Sequence, residues 1–91
     1  MKYQSQIHTN NLRVIRKSLQ LRQVDVAGIL GFCTTDRISH WENGLTLPSL
    51  INLFRLCSIY KTSPQEMYAD LHAEIWSEIL KKLPEKLKTI D

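Results

Sequence analysis

Between Thr34 and Gly44 the chain reads TTDRISHWENG. Thr35, Asp36, Arg37, Ser39 and His40 bring hydroxyl, carboxylate, guanidinium and imidazole groups together there. Ile38 and Trp41 stand three apart and so share one face of a helix. A helix this short is unstable alone, so those two side chains must anchor it to something larger. The polar groups are then left outside. Catalysis is a poor use for them. His40 and Glu42 are two apart on a helix and point different ways. The chain has no Gly-rich phosphate loop and no nucleophile elbow. His8, His40 and His72 are scattered, and Cys33 and Cys57 lack metal-ligand spacing. The chain is therefore not expected to be an enzyme, nor to hold a cofactor or a metal.

Those residues must be positioned by a small domain. Ninety-one residues with 43% apolar content make one modest core. No apolar run approaches the length of a membrane span, and MKYQSQIHTN lacks the apolar centre of a signal peptide. The expected compartment is the cytosol, where a disulfide is unfavoured. Cys57 falls in an apolar helical pattern and reads as a buried thiol, while Cys33 falls in a turn. Residues 1–61 hold eight Lys/Arg and three Asp/Glu, a balance of +5, whereas residues 62–91 hold four and six, a balance of −2. The first part suits a polyanion and the second does not.

Helical spacing accounts for nearly the whole chain. Residues 1–8 read as a flexible arm. A first helix is expected from about Asn10 to Leu19, capped by Thr9, with Leu12, Ile15 and Leu19 inside. A second is expected from Gln23 to Leu30, with Val24, Val26, Ala27 and Leu30 apolar and Gly31 as its stop. The third is the opening stretch, with Thr34 as cap. Ser49 caps a fourth over 50–60, whose apolar residues wrap widely enough to suggest a central helix. Ser63 to Glu66, SPQE, is a capping box opening a fifth helix to about Leu71. A sixth stretch, His72 to Leu83, carries Ile75, Trp76, Ile79, Leu80 and Leu83, either as a separate helix or as a continuation of the fifth; Pro84 weakens any helix there, and the last residues should fray.

Two short helices joined at Gly31 in a basic setting fit a helix-turn-helix. The detail is more specific. Gln23-Val24-Asp25-Val26-Ala27, Leu30-Gly31, Ile38 to Gly44 and Pro48-Ser49-Leu50 together resemble the lambdoid phage-repressor and Cro type, the Xre-like family. The resemblance covers residues 12–71. It implies an all-α, compact five-helix repressor-like DNA-binding domain over 9–71, with a C-terminal helical extension over 72–91. It also implies a transcriptional regulator, usually a homodimer on double-stranded DNA, whose third helix enters the major groove.

Site roles follow from that resemblance. Thr35, Asp36 and His40 match base-contacting positions, and Arg37 and Ser39 complete the base-reading set. Thr can meet a thymine methyl, Asp can accept from cytosine N4, and Arg can grip guanine or a phosphate with two hydrogen bonds. Asp36 serves equally as a favourable charge at a helix start, and Arg37 could instead pair with Asp36 or Glu42. Gln23, Arg22, Asn43 and Thr46 are the phosphate-contact set, although Gln23 and Asn43 could be only a cap and a turn former. Arg16 and Glu42 match an internal ion pair, and Ile38 and Trp41 match core pegs. Arg13, Lys17, Arg55 and Lys61 are further cations for phosphates.

Four departures stand out. Six residues, FCTTDR, separate Gly31 from Ile38 where the family usually has five. Gln20 stands where a Gly is common, and Arg22 where a Ser or Thr cap is common. The loop Leu45-Thr46-Leu47 lacks basic residues, which should weaken binding and flatten its salt dependence. Leu45 and Leu47 could instead form an apolar patch for another protomer or protein. The stripe Leu71, Ile75, Ile79, Leu83 either folds back or pairs across a two-fold axis, and pairing suits a palindromic site. A protein-interaction module, such as an antitoxin holding a partner through this stripe, is the alternative function.

Overall fold

Asn10 starts the fold. Its Oδ1 accepts from the Leu12 backbone N–H at 3.0 Å, and its Nδ2 donates to the carbonyls of His8 and Trp41, each at 2.9 Å. The structure is a computed structural model describing residues 7–88. Helix α1 spans Leu12–Ser18. Thr9 is not its cap: Asn10 supplies the acceptor, and the Thr9 hydroxyl donates to Asp70 Oδ2 at 3.3 Å. The helix ends because Gln20 adopts φ +60°, the left-handed region that a glycine would take more easily. Leu19 therefore leaves the inner face and is exposed.

Helix α2, Gln23–Leu30, begins where the Asp25 carboxylate accepts from the Arg22 backbone N–H at 2.8 Å. It closes at Gly31, φ +78°. Val26, Ala27 and Leu30 are buried, while Val24 faces water. Helix α3 spans Asp36–Glu42, later than a Thr34 cap would place it. Thr34 still contributes, since its Oγ1 accepts from the Asp36 N–H at 3.3 Å.

Helix α4 spans Leu50–Tyr60, and Ser49 Oγ accepts from the Asn52 N–H at 3.2 Å. It is not buried all round. Leu56 and Tyr60 enter the core, but Leu50 and Phe54 are 66% and 58% exposed. Helix α5 is one turn, Pro64–Met67, with Ser63 Oγ accepting from the Glu66 N–H at 3.1 Å. Tyr68, at φ −125° and ψ 53°, breaks the chain into α6, Ala69–Leu80. The fifth helix thus stops short of Leu71, and the sixth begins ahead of His72. After Pro84 comes α7, Glu85–Lys88. The described residues are all-helical, with seven helices rather than six.

The core joins Leu12, Val26, Leu30, Ile38, Trp41, Leu56, Tyr60 and Met67. Each large apolar side chain so buried contributes roughly 1.5–3 kcal/mol against unfolding. His8 belongs to the fold rather than to an arm. It is buried, and its N–H donates to the Gly44 carbonyl at 2.9 Å. Residues 1–6 and 89–91, assigned to the arm and the fraying end, lie outside the described residues. Helix α6 has no buried residue.

Candidate nucleic-acid interface

Two side chains set how α3 leaves the surface. Ile38 is 1% and Trp41 4% exposed. On a 100° helical step, Asp36, Ser39, His40 and Asn43 fall opposite them. Asp36, His40 and Asn43 are exposed, Ser39 is half-buried, and Thr35 is half-buried at the helix entrance. Ser39 and Asn43 touch each other, with Asn43 Nδ2 donating to Ser39 Oγ at 3.3 Å. Arg37 is exposed on a flank of this face. Its guanidinium carbon lies 4.7 Å from the Phe32 ring centre, a cation–π contact. Phe32, not Asp36 or Glu42, is therefore its partner. Phe32 itself packs edge-on against Trp41, with centroids 5.9 Å apart. The lengthened turn thus carries its own anchor.

The end of α3 is tied to α1 and α2 through Glu42. Arg16 donates to Glu42 with Nε at 2.6 Å and Nη2 at 3.0 Å, and its Nη1 donates to the Leu21 carbonyl at 2.9 Å. Gln23 Nε2 and Arg13 Nε reach Glu42 Oε1 at 3.0 and 3.3 Å. Burial pushes the Glu42 carboxyl upward, but hydrogen bonds from Arg16 and Gln23 and the Arg16 charge hold it below its ordinary value. The same hydrogen bond raises Arg16. Arg13 Nη2 also donates to Asn43 Oδ1 at 2.9 Å. Sequence reasoning paired Arg16 with Glu42 but missed Arg13 and Gln23. The available signal was that Arg13 lies three before Arg16, on the same side of α1.

These ties redistribute the phosphate candidates. Gln23 begins α2, and one of the two N–H donors of its side-chain amide is spent on Glu42. Arg22 is exposed and forms an ion pair with Asp25 at 3.0 Å, which raises Arg22 and lowers Asp25. Asn43 is oriented by Arg13, and Thr46 is exposed. Arg55 turns inward: its Nη2 donates to the Leu30 carbonyl at 2.6 Å, closing α2, and its Nη1 to Asn52 Oδ1 at 3.0 Å. It is a helix cap rather than a cation facing a polyanion. Lys17 and Lys61 are exposed. Cys33 is exposed, Cys57 half-buried, and burial raises the Cys57 thiol.

Residues 12–67 match a protein-family model described as helix-turn-helix. The chain belongs to the Xre and lambda repressor-like helix-turn-helix family. Membership supports DNA binding and transcription regulation as its general function. The match ends at Met67, so α6 and α7 lie beyond the family's matched region. Neither curated proteins nor solved structures yielded a match. No helix among the described residues is long and apolar enough to cross a membrane.

Proposed function

We propose that this regulator acts as a homodimer that occupies an operator and represses transcription. Helix α3 enters the major groove, where Thr35, Asp36, Ser39 and His40 meet base edges. Arg37 reaches a guanine edge or a phosphate from the flank. Gln23, Arg22, Asn43 and Thr46 meet phosphates, with Gln23 trading its Glu42 bond for a shared one. The observation that carries this reading is the division of α3: Ile38 and Trp41 are buried while Asp36 and His40 stand in water. Two copies would place their third helices in successive major grooves, roughly 10 base pairs apart. Selection of bound duplexes from random oligonucleotides tests it. A two-fold motif with that half-site spacing is the expected result, and sequence-indifferent recovery would refute it.

The exposed apolar side of α6 favours a second reading, a module such as an antitoxin that holds a partner protein there while DNA is secondary. Co-purification from the native host, lost on truncation after Leu71, would support it over the first.

A further inference from the structure

An open apolar cavity of about 320 Å³ lies between the start of α4 and α6. Leu47, Pro48 and Leu53 form one wall, and Leu71, His72 and Ile75 the other. Helical spacing extends the first wall to Leu50 and Phe54, and the second to Ile79 and Trp76. Leu47, Leu50, Phe54, Ile75, Trp76 and Ile79 are each between 37% and 66% exposed. Together they leave on the order of 600 Å² of apolar side chain in water. Each partner of a standard interface buries ~800 Å², of which roughly 60% is apolar. The patch therefore matches one side of such an interface.

We infer that the occupant is α6 of a second copy, lying antiparallel to its twin. This inference deepens the dimeric reading proposed above and rests on it. Charge selects the direction. Asp70, Glu74 and Glu78 lie along α6, and Lys81 and Lys82 follow directly at its end, with Glu85, Lys86 and Lys88 beyond in α7. Antiparallel helices bring Asp70 and Glu74 of each copy towards Lys81 and Lys82 of the other, whereas parallel ones oppose like charges. Opposed helix dipoles favour the same direction. Reversal also keeps the apolar stripe in register, with Ile75 of one copy against the equivalent of Ile79 in the other. The groove begins one residue past Thr46, so one loop serves both the second copy and the phosphate contact.

Sedimentation of the full chain without DNA tests this separately from any operator. The parent should be dimeric at micromolar concentration. Trp76→Glu with Ile79→Glu should weaken self-association on the order of tenfold or more while the helical circular dichroism stays unchanged, since neither residue is buried. A monomeric parent, or a double variant as dimeric as the parent, would overturn the proposal. So would a monomeric parent that holds a different protein through this face. For direction, Ile75→Cys and Ile79→Cys chains are mixed in a Cys33→Ser background and oxidised. A predominantly mixed disulfide dimer is expected; self-paired dimers of each would overturn the antiparallel arrangement. Because no step involves DNA, failure here leaves α3's recognition role to be judged by oligonucleotide selection alone.

Discussion

The Arg16 guanidinium grips the Glu42 carboxylate with two hydrogen bonds, at 2.6 and 3.0 Å, across 26 residues of chain. Both side chains are almost fully enclosed, at 8% and 1% exposure. Breaking a buried pair leaves one uncompensated charge in a poorly solvating place. Arg16→Met leaves Glu42 with only Gln23 and the half-exposed Arg13, and should therefore cost about 3 kcal/mol in urea unfolding. Arg16→Met with Glu42→Leu should recover most of that loss, because neither charge is then stranded. A double variant no better than Arg16→Met would show that packing, not charge, governs the site.

Acid should act on the same pair. Glu42 ionises at lower pH in the folded than in the unfolded chain, so its contribution is complete above the ordinary carboxylate range. It is lost as pH falls from about 4.3 through the folded value. Glu42→Gln should lower stability at neutral pH and flatten its acid dependence in that window. An unchanged acid slope in thermal unfolding would remove Glu42 as the cause.

Alkali should act on the core. Burial pushes the Tyr60 phenol up to about 12, aided by the Glu42 charge and opposed by Arg16, and burial pushes Tyr68 up to about 12. Protonated phenols are therefore favoured in the fold. Their stabilising contribution is complete below the ordinary value near 10 and is lost as pH rises toward 12. Ultraviolet titration should show Tyr60 and Tyr68 ionising late, together with unfolding. Ionisation of Tyr60 and Tyr68 near 10 in folded protein would contradict this.

Gly44 and Gly31 separate two penalties. Both take left-handed backbone, φ +76° and +78° respectively, which costs an Ala about 1–2 kcal/mol. At Gly31 a Cβ meets open space, but at Gly44 it would meet the His8 backbone. Gly31→Ala should lose only the conformational term. Gly44→Ala should lose distinctly more and release His8 from its bond to residue 44, visible as faster amide exchange at His8. Equal losses at the two sites would disprove the steric contribution.

On DNA, Arg37→Ala should weaken binding to the selected site by about 1–3 kcal/mol. Arg22→Ala should weaken binding to all duplexes alike and reduce the salt slope by about 1. Gel-shift titrations across salt concentrations distinguish these outcomes. Equal affinity of Arg37→Ala and parent would remove Arg37 from the interface.

Local physics made much of this legible beforehand. SPQE, Gly31 and Ser49 mark helix ends because caps and left-handed residues act within a few positions. Gln20 stands in a glycine place, and it does take the left-handed backbone there. The Xre-type pattern named the family because pegs and stops at fixed spacing specify where α3 must sit.

Partners far apart in the chain were not legible. Gln23 and Arg55 read as cations or donors awaiting phosphate, yet Gln23 reaches Glu42 and Arg55 closes α2 at Leu30. Composition and spacing say which groups can donate, but not which acceptor packing will bring within 3 Å. The apolar circumference of α4 likewise suggested a buried helix, whereas Leu50 and Phe54 face outward. By itself, then, the amino-acid order determined where most helices lie, their ends at Gly31, Ser49 and Ser63, and which side chains of α3 turn inward, because short-range sterics and capping decide those. Only tertiary packing decided which polar side chains remain for a ligand and which apolar ones remain in water, because both depend on residues distant in the chain.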